Sequence, residues 1–241
     1  MQNFENSKNY SGAETLSDLS LAKNYNSHLA SIIQSEFSSG GTVLDFGAGN
    51  GTFLKLLQCP GTRYLAVEPD PELKEQILEH HLAEIVKLDS LDEGAVDFIY
   101  TLNVLEHIEN EQDAINSLFR VLRPGCQLLV FVPCFPHLYS EFDKSIGHFR
   151  RYTKTELRRK LDAAGFSILR GHYFDPMGYF AALIYRLTFN SGSIGKRQIK
   201  AFDTFIYPVS KFLLPLTRGL FGKNLIFLAQ RPHETMDRSS L

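Results

Sequence analysis

The amino-acid sequence predicts an α/β protein with a doubly wound, mostly parallel sheet. Short apolar strand segments alternate with helical segments over residues 43–132, which is typical of repeated βα units. The first strand contains Val43 and Leu44 and continues into a turn with glycine at positions 47, 49 and 51. Glycine permits positive φ angles and the close approach of a ligand, so this turn predicts a nucleotide-like ligand.

The remaining elements follow from local patterns. Apolar residues at helical spacing over residues 16–37 predict a cap helix, which ends at the Ser-Ser-Gly-Gly sequence of residues 38–41. Capping-box spacing predicts a helix at 157–164, and a sixth strand is expected at 166–173. The other expected elements are strands at 43–46, 64–67, 85–88, 98–102 and 128–132 and helices at 51–57, 71–80 and 112–122.

The glycine spacing bears on which nucleotide-like ligand is bound. A dinucleotide fingerprint needs G-x-G-x-x-G so that helix and strand pack closely around a pyrophosphate. Here Gly51 comes one residue early, and Asp45 places a carboxylate where a phosphate would be repelled. Glu68 follows the second strand at about the spacing of an acid that accepts hydrogen bonds from ribose. The pattern disfavours a pyrophosphate, and a nicotinamide-dependent oxidoreductase is kept as an alternative function.

Five short segments follow one another at or near the predicted strand ends. They are Asp45-Phe46-Gly47-Ala48-Gly49-Asn50-Gly51, Glu68, Leu88-Asp89-Ser90, Asn103-Val104-Leu105-Glu106-His107-Ile108 and Leu122-Arg123-Pro124-Gly125-Cys126-Gln127-Leu128. In this order, over residues 40–135, they resemble the motifs of the class I S-adenosylmethionine-dependent methyltransferases. The resemblance implies a Rossmann-like, seven-stranded sheet with an antiparallel last strand, expected at 225–229. It also implies S-adenosyl-L-methionine as cofactor and S-adenosyl-L-homocysteine as product.

The resemblance also implies roles for the residues at the strand ends. Gly47 and Gly49 would allow the cofactor to approach the backbone, and Asp45 would hold the loop or the methionine amine. The other implied cofactor-binding residues are Glu68 at the ribose, Asp89 and, more weakly, Ser90 at the adenine, and Asn103 at the methionine end.

Acceptor chemistry is expected after the fifth strand, in residues 133–152, where loops would face the cofactor. His148 is the first candidate for a general base because neutral imidazole is available near pH 7, and His107, after the fourth strand, is the second. The Gly-His-Phe-Arg-Arg-Tyr stretch at 147–152 is similar to one found in bacterial methyltransferases of this class. The expected substrate-binding residues are Tyr139, Asp143, Arg150 and Tyr152, and no metal site is expected.

The resemblance and the element spacing together predict one domain with four parts. These are a cap at 1–39, a cofactor-binding core at 40–135, an acceptor-side loop and helical lid at 136–223, and a flexible tail at 231–241. The stretch between the sixth and seventh strands, about 50 residues, is too long for an ordinary connection and predicts two or three added helices. Their apolar residues, interleaved with Arg and Lys, favour a lid or a homodimer surface, with a membrane-interface contact as the alternative.

The distribution of charged residues along the chain limits the classes of ligand and partner that the protein is expected to bind. Residues 64–113 contain fourteen acids against two lysines, whereas residues 144–223 contain fifteen basic residues against four acids. This asymmetry suits a cationic cofactor and an anionic or lipid-like acceptor, and the alternative is that the charges lie on solvated helix faces. The net charge of −2 and the lack of an Asn-Pro-Pro-Tyr-type motif after the fourth strand disfavour nucleic acid.

The same sequence features limit the location and the reaction. Three unpaired cysteines and the absence of a signal-peptide pattern or an uninterrupted apolar span predict a cytoplasmic protein. The leading function is methylation of a small organic molecule, with oxygen slightly preferred over nitrogen or carbon. A non-catalytic cofactor-binding module is the remaining alternative, because function depends on the site and not on the fold.

Overall fold

The computed structural model describes residues 13–188 and 193–233 of the 241-residue chain. The strands within them are β1 Thr42–Phe46, β2 Arg63–Val67, β3 Glu84–Ile85, β4 Val96–Leu102, β5 Leu122–Pro133, β6 Ser167–Phe174 and β7 Asn224–Gln230. They form one sheet in the order β3-β2-β1-β4-β5-β7-β6. Neighbouring strands from β3 to β5 are parallel, and β7 runs antiparallel to both β5 and β6. The predicted Rossmann-like sheet with an antiparallel last strand is confirmed.

Helices cover both faces of the sheet. They are α1 Ala13–Leu19, α2 Lys23–Gln34, α3 Thr52–Leu57, α4 Pro71–Glu79, α5 Glu111–Val121, α6 Glu141–Ser145, α7 Lys154–Ala163, α8 Pro176–Thr188, α9 Lys196–Ala201 and α10 Tyr207–Thr217. A π-helical segment, Phe202–Ile206, joins α9 to α10. Helices α8 to α10 lie between β6 and β7, as predicted for the helical insertion.

Strand β5 contributes side chains to two hydrophobic clusters, one on each face of the sheet. Leu128 and Val130 are fully buried in one hydrophobic cluster, whereas Leu129 and Phe131 are buried in the other. Successive side chains of a strand point to opposite faces of the sheet, so an unbroken apolar run is buried on both sides. This pattern agrees with the position of β5 inside the sheet, between β4 and β7.

Two predicted elements are wrong in their extent. The strand expected at 85–88 has only two residues, Glu84–Ile85. After it, the guanidinium of Arg120 donates to the carbonyl oxygens of Leu88 at 3.1 Å and Leu91 at 2.6 Å. Leu88–Ser90 forms a 3-10 turn instead. The cap helix expected over 16–37 is two helices, α1 and α2, separated by a turn at residues 20–22.

The predicted tail begins with an anchored residue. Arg231 is buried, and its Nη1 donates to the carbonyl oxygens of Phe119, Arg120 and Leu122 at 2.8–3.1 Å. These carbonyls lie at the end of α5, where the last turn of a helix lacks intrahelical partners. Arg231 therefore belongs to the fold, and residues 234–241 of the predicted tail lie outside the described residues.

A carboxylate distant in sequence stabilises the break between α1 and α2. Asp203, in the π-helical segment, is buried and accepts hydrogen bonds from the backbone N–H groups of Asn24 at 3.0 Å and Tyr25 at 2.9 Å. The first N–H groups of a helix have no intrahelical acceptor, so Asp203 completes the start of α2. This interaction attaches the helical insertion to the N-terminal helices.

Removal of this cap should destabilise the protein. We expect Asp203→Ala to lower the free energy of unfolding by about 1–3 kcal/mol, because it leaves two N–H groups without acceptors. Urea unfolding monitored by circular dichroism measures the difference. The matched control, Asp162→Ala on the exposed surface of α7, should change stability by less than about 0.5 kcal/mol. Equal stability of the two variants would contradict the role of Asp203.

Candidate functional site

The glycine turn after β1 lies against the end of β4. Gly47, Gly49 and Gly51 have φ angles of 84°, 56° and 72°. A Cβ atom added to Gly47 would lie 2.2 Å from a methyl carbon of Val104, the second residue after β4. Both the backbone conformation and the lack of space therefore require glycine here. The turn and the β4 end form one packed unit.

Asp45 lies beneath this unit, in β1. Its side chain is buried, and Tyr100 on β4 donates a hydrogen bond to its Oδ2 at 2.8 Å. Burial raises the pKa of Asp45 to about 8, against the opposing effect of the Tyr100 hydrogen bond. The carboxyl group is thus placed where a cationic group of a ligand would stabilise its charged form.

Glu68 connects the end of β2 to the glycine turn. Its Oε2 accepts from the Gly49 N–H at 2.7 Å and its Oε1 accepts from the Asp70 N–H at 2.9 Å. Burial is the main cause of a pKa raised to about 7. Each carboxylate oxygen has a second lone pair, so these bonds leave acceptor capacity for hydroxyl groups.

The other predicted cofactor-binding residues lie on loops at the same edge of the sheet. Asp89 and Ser90 are exposed in the 3-10 turn after β3, and the Ser90 hydroxyl donates to the Lys87 carbonyl at 2.7 Å. Asn103 follows β4 with a φ angle of 53° and accepts a hydrogen bond from the Asn224 side chain at 3.3 Å. Strand topology thus brings all the predicted cofactor residues to the carboxyl ends of β1 to β4.

Two of the predicted substrate-binding residues, Tyr152 and Arg150, contact other parts of the protein. Tyr152 is fully buried in the hydrophobic core, and its backbone pairs with Pro133 and Phe135. Arg150 forms an ion pair with Glu111 and donates to the carbonyls of residues 108 and 109. These contacts attach the segment after β5 to the start of α5.

A buried network of charged side chains lies in this segment. Asp143 is fully buried and accepts hydrogen bonds from Arg151 Nε at 2.9 Å, from Arg151 Nη2 at 3.1 Å and from the Ser140 N–H and hydroxyl at 2.9 Å. His148 Nδ1 lies 2.9 Å from the same carboxylate. Burial alone would raise the pKa of Asp143, but the hydrogen bond from His148 and the charge of Arg151 hold it below its usual range.

Tyr139 closes this network from the more accessible side. Its hydroxyl donates to the His148 carbonyl at 2.6 Å, and the residue is half-buried. Tyr139 is thus a predicted substrate residue whose side chain is partly accessible and contacts the backbone of His148.

The two predicted catalytic histidines meet beside Glu106. The rings of His107 and His148 lie 4.5 Å apart in an edge-to-face arrangement. Burial lowers the pKa of both, that of His107 to about 3, so both rings are neutral at pH 7. Glu106 Oε1 lies 3.7 Å from His148 Nε2. Glu106 lies in the fourth-strand motif, and no role was predicted for it, although its position next to His107 was a usable signal.

The family of the chain follows from comparison with known proteins. A family model described as a methyltransferase domain matches residues 21–170. The chain therefore belongs to the methyltransferase domain family, and the prediction of a class I S-adenosylmethionine-dependent methyltransferase is confirmed.

Individual relatives agree with this assignment. A Mycolicibacterium smegmatis protein named as a probable S-adenosylmethionine-dependent methyltransferase is 27% identical over 175 residues, which are 67% of this chain and 65% of the relative. A protein named as an uncharacterized methyltransferase from Mycobacterium sp. strain KMS is 31% identical over 161 residues, 59% of this chain and 62% of that protein. The chain thus spans less than two thirds of the length of these relatives.

Solved structures share the fold. A chain in the complex between the Haloferax volcanii Trm112 methyltransferase activator and a methyltransferase superposes with a TM-score of 0.64 at 15% identity, covering 94% of this chain and 96% of that chain. At this identity the similarity supports the fold alone.

The buried carboxyl group of Asp45 should make stability depend on pH. Its folded pKa of about 8 exceeds the ordinary value of 3.8, so the native state keeps a proton that the unfolded state releases. The contribution of Asp45 to the free energy of unfolding therefore falls as pH rises from about 4 to about 8. Asp45→Asn should flatten this part of the profile in urea unfolding without cofactor, whereas Asp162→Asn should keep the wild-type slope. An unchanged slope in Asp45→Asn would contradict the assignment.

Proposed function

We propose that the chain transfers a methyl group from S-adenosyl-L-methionine to a small organic acceptor, with an oxygen acceptor preferred. The observation that carries the proposal is the contact of Gly47 with Val104, which places the cofactor turn against the turn that holds His107. A cofactor site and a candidate acceptor site thus adjoin at one edge of the sheet. This location is where ligands of open α/β sheets bind.

The residues at the edge suit the proposed cofactor. Glycines with positive φ angles expose backbone, Glu68 keeps lone pairs for ribose hydroxyls, and Asp45 offers a carboxyl group to a cationic amine. We assign Asp89 and Ser90 to the adenine and Asn103 to the methionine end. When bound, the cofactor supplies a methyl group on a sulfonium, so the chain needs no nucleophile of its own.

The acceptor must be held in line with the methyl–sulfur bond. Such positioning supplies roughly 7–11 kcal/mol of the barrier in favourable cases. We assign acceptor activation to His148 and His107, because their rings adjoin each other on the acceptor side of the β4 turn. Asp143 is a positioning residue that acts through His148, and Tyr139 is a partly accessible substrate-binding candidate that contacts the His148 backbone.

Ligand binding distinguishes the proposed methyltransferase from the two alternative functions, an oxidoreductase and a binding module. S-adenosylhomocysteine at about 100 times its dissociation constant should stabilise the protein by about 2.7 kcal/mol in thermal unfolding, whereas NAD should not. Stabilisation by NAD alone would favour the oxidoreductase alternative. Release of S-adenosylhomocysteine in the presence of hydroxyl, amine and carboxylate acceptors distinguishes an enzyme from a binding module.

Replacement of His148 tests its role in acceptor activation. His148→Gln should slow the release of S-adenosylhomocysteine by about 100-fold or more, with unchanged binding of S-adenosylhomocysteine. The control His80→Gln, at an exposed residue at the end of α4, should leave the rate of release unchanged.

The insertion favours a lipid-like acceptor. Its most exposed apolar side chains are Leu187, Phe205, Phe212, Leu216 and Leu220, each at least 70% exposed. Its described acidic residue, Asp203, is buried, whereas Lys200, Lys211 and Arg218 are exposed. An apolar face with basic charges suits the surface of an anionic membrane. None of the helices in residues 13–188 and 193–233 is long and apolar enough to span a bilayer.

Vesicle binding tests this face. The protein should sediment with vesicles that contain phosphatidylserine and less with phosphatidylcholine alone, and Phe205→Ser with Phe212→Ser should reduce sedimentation about tenfold or more. Phe149→Ser, on an exposed loop outside the insertion, is the matched control. If the double variant instead abolishes a dimer seen by analytical ultracentrifugation and vesicles do not bind, the face is a homodimer surface. A cytoplasmic location is part of the same proposal.

A further inference from the structure

Glu106 is a buried carboxylate without hydrogen-bond partners on its side chain. The residue is fully buried, and neither Oε1 nor Oε2 has a hydrogen bond. The nearby guanidinium of Arg151 is already bound to Asp143 through Nε and Nη2. A buried charge without a compensating partner is costly, and such groups in native proteins are paired or bind metal ions. Burial therefore favours the protonated form of Glu106, and a cationic partner would stabilise its charged form.

Hydrogen bonds on one ring nitrogen orient each of the two neighbouring histidines, His107 and His148. His148 is held at Nδ1 by Asp143 at 2.9 Å, which leaves Nε2 toward Glu106 Oε1 at 3.7 Å. His107 has a hydrogen bond with the backbone of Gly147. Metal-binding histidines typically donate one ring N–H to a carboxylate or a backbone carbonyl and bind the metal through the other nitrogen. Both histidines have such a partner.

One ligand atom each from Glu106, His107 and His148 lie within 4.8 Å of one another. A cation with bonds of about 2.0–2.2 Å brings its ligand atoms to within about 4 Å of one another, so binding needs a contraction of about 1 Å. With Asp143 balanced by Arg151, Glu106 would give the cluster one negative charge once a cation displaces its proton.

We propose that Glu106, His107 and His148 bind one divalent transition-metal cation next to the methyl-transfer site. Two imidazoles and one carboxylate favour Zn²⁺, Fe²⁺, Co²⁺ or Mn²⁺ over Mg²⁺ and Ca²⁺, which prefer oxygen ligands. The inference rests on the proposed function and deepens it, because it assigns the action of the two histidines to a cation they share. The proposal departs from the expectation of no metal site, because only the fold brings Glu106 and His107 together with His148.

The cation gives oxygen acceptors a chemical advantage. Three protein ligands leave a coordination position open, and a hydroxyl that binds there has a lowered pKa. The acceptor O–H bond breaks and its proton passes to solvent. The oxygen then forms the bond to the methyl carbon while the methyl–sulfur bond breaks, and the electron pair of that bond stays on sulfur. Charge and atoms balance without a protein base.

Metal binding is measured independently of activity. The full-length protein is treated with a chelator, dialysed and titrated with Co²⁺, with visible absorption and isothermal calorimetry as readouts. We expect one equivalent to bind with the absorption of a nitrogen- and oxygen-ligated ion. Glu106→Gln and His148→Gln should each weaken binding at least 100-fold, and Asp143→Asn, which loosens His148, by about 10–100-fold. The matched control, His80→Gln, should bind as the wild type does.

The outcomes separate this inference from the proposed function. If the wild type binds S-adenosylhomocysteine but takes up no stoichiometric Co²⁺, or if Glu106→Gln binds Co²⁺ equally well, the metal site is wrong and the methyltransferase proposal stands. If Co²⁺ binds at this site but the protein neither binds S-adenosylhomocysteine nor releases it in turnover, the proposed function is wrong. Restoration of transfer in Asp143→Asn by raised Co²⁺ supports the metal role, because added metal would not replace a proton acceptor.

Discussion

The contact between Gly47 and Val104 determines how the two halves of the site adjoin. Because Val104 occupies the space of a side chain at position 47, the turn after β1 and the turn after β4 cannot separate without opening a cavity. Glu68 adds a second constraint, since it binds the Gly49 N–H from the end of β2. The backbone that would face the cofactor is therefore rigid before any ligand binds, and His107 follows Val104 by three residues. Preorganisation of this kind lowers the entropy that alignment of a methyl acceptor costs.

The four buried carboxyl groups of the site differ in how their charge is compensated, and the difference separates their roles. Asp143 accepts hydrogen bonds from Arg151 and Ser140 and contacts His148, so it is ionised and serves structure and orientation. Asp45 has one hydroxyl donor and Glu68 has two backbone donors, and burial raises the pKa of each. Both are stabilised in their charged form only when a ligand adds positive charge or further donors.

Among these four carboxyl groups, Glu106 has the least compensation for its charge. It has no hydrogen bond on either oxygen, and burial raises its pKa to about 8. A structural carboxylate would have acquired donors, as Asp143 has, because unsatisfied buried groups destabilise the fold. Its location beside two oriented imidazoles, and not in the hydrophobic core, favours a ligand-binding reason for its retention.

The local parts of the fold and of the cofactor site were predictable from the sequence, because strand, turn and acid lie within a few residues of one another. The turn at Gly47 and the acid Glu68 are of this kind. Contacts between distant segments were not predictable. Arg120 binds carbonyl oxygens of the 3-10 turn that follows the short β3, and Asp203 caps the start of α2 from 179 residues away. The metal-binding cluster likewise combines two adjacent residues of the β4 turn with His148.

These distant contacts connect the exposed insertion to the site. Asp203 joins the insertion to α2, and Tyr25 on α2 donates to the Asn224 side chain at 3.3 Å. Asn224 in turn donates to Asn103, at the predicted methionine end of the cofactor site. A displacement of the insertion by a membrane or an acceptor would thus reach Asn103 through buried or half-buried hydrogen bonds. Since Asp203 holds both Asn24 and Tyr25, loss of this cap should affect the methionine end of the cofactor site more than the adenine side at Asp89.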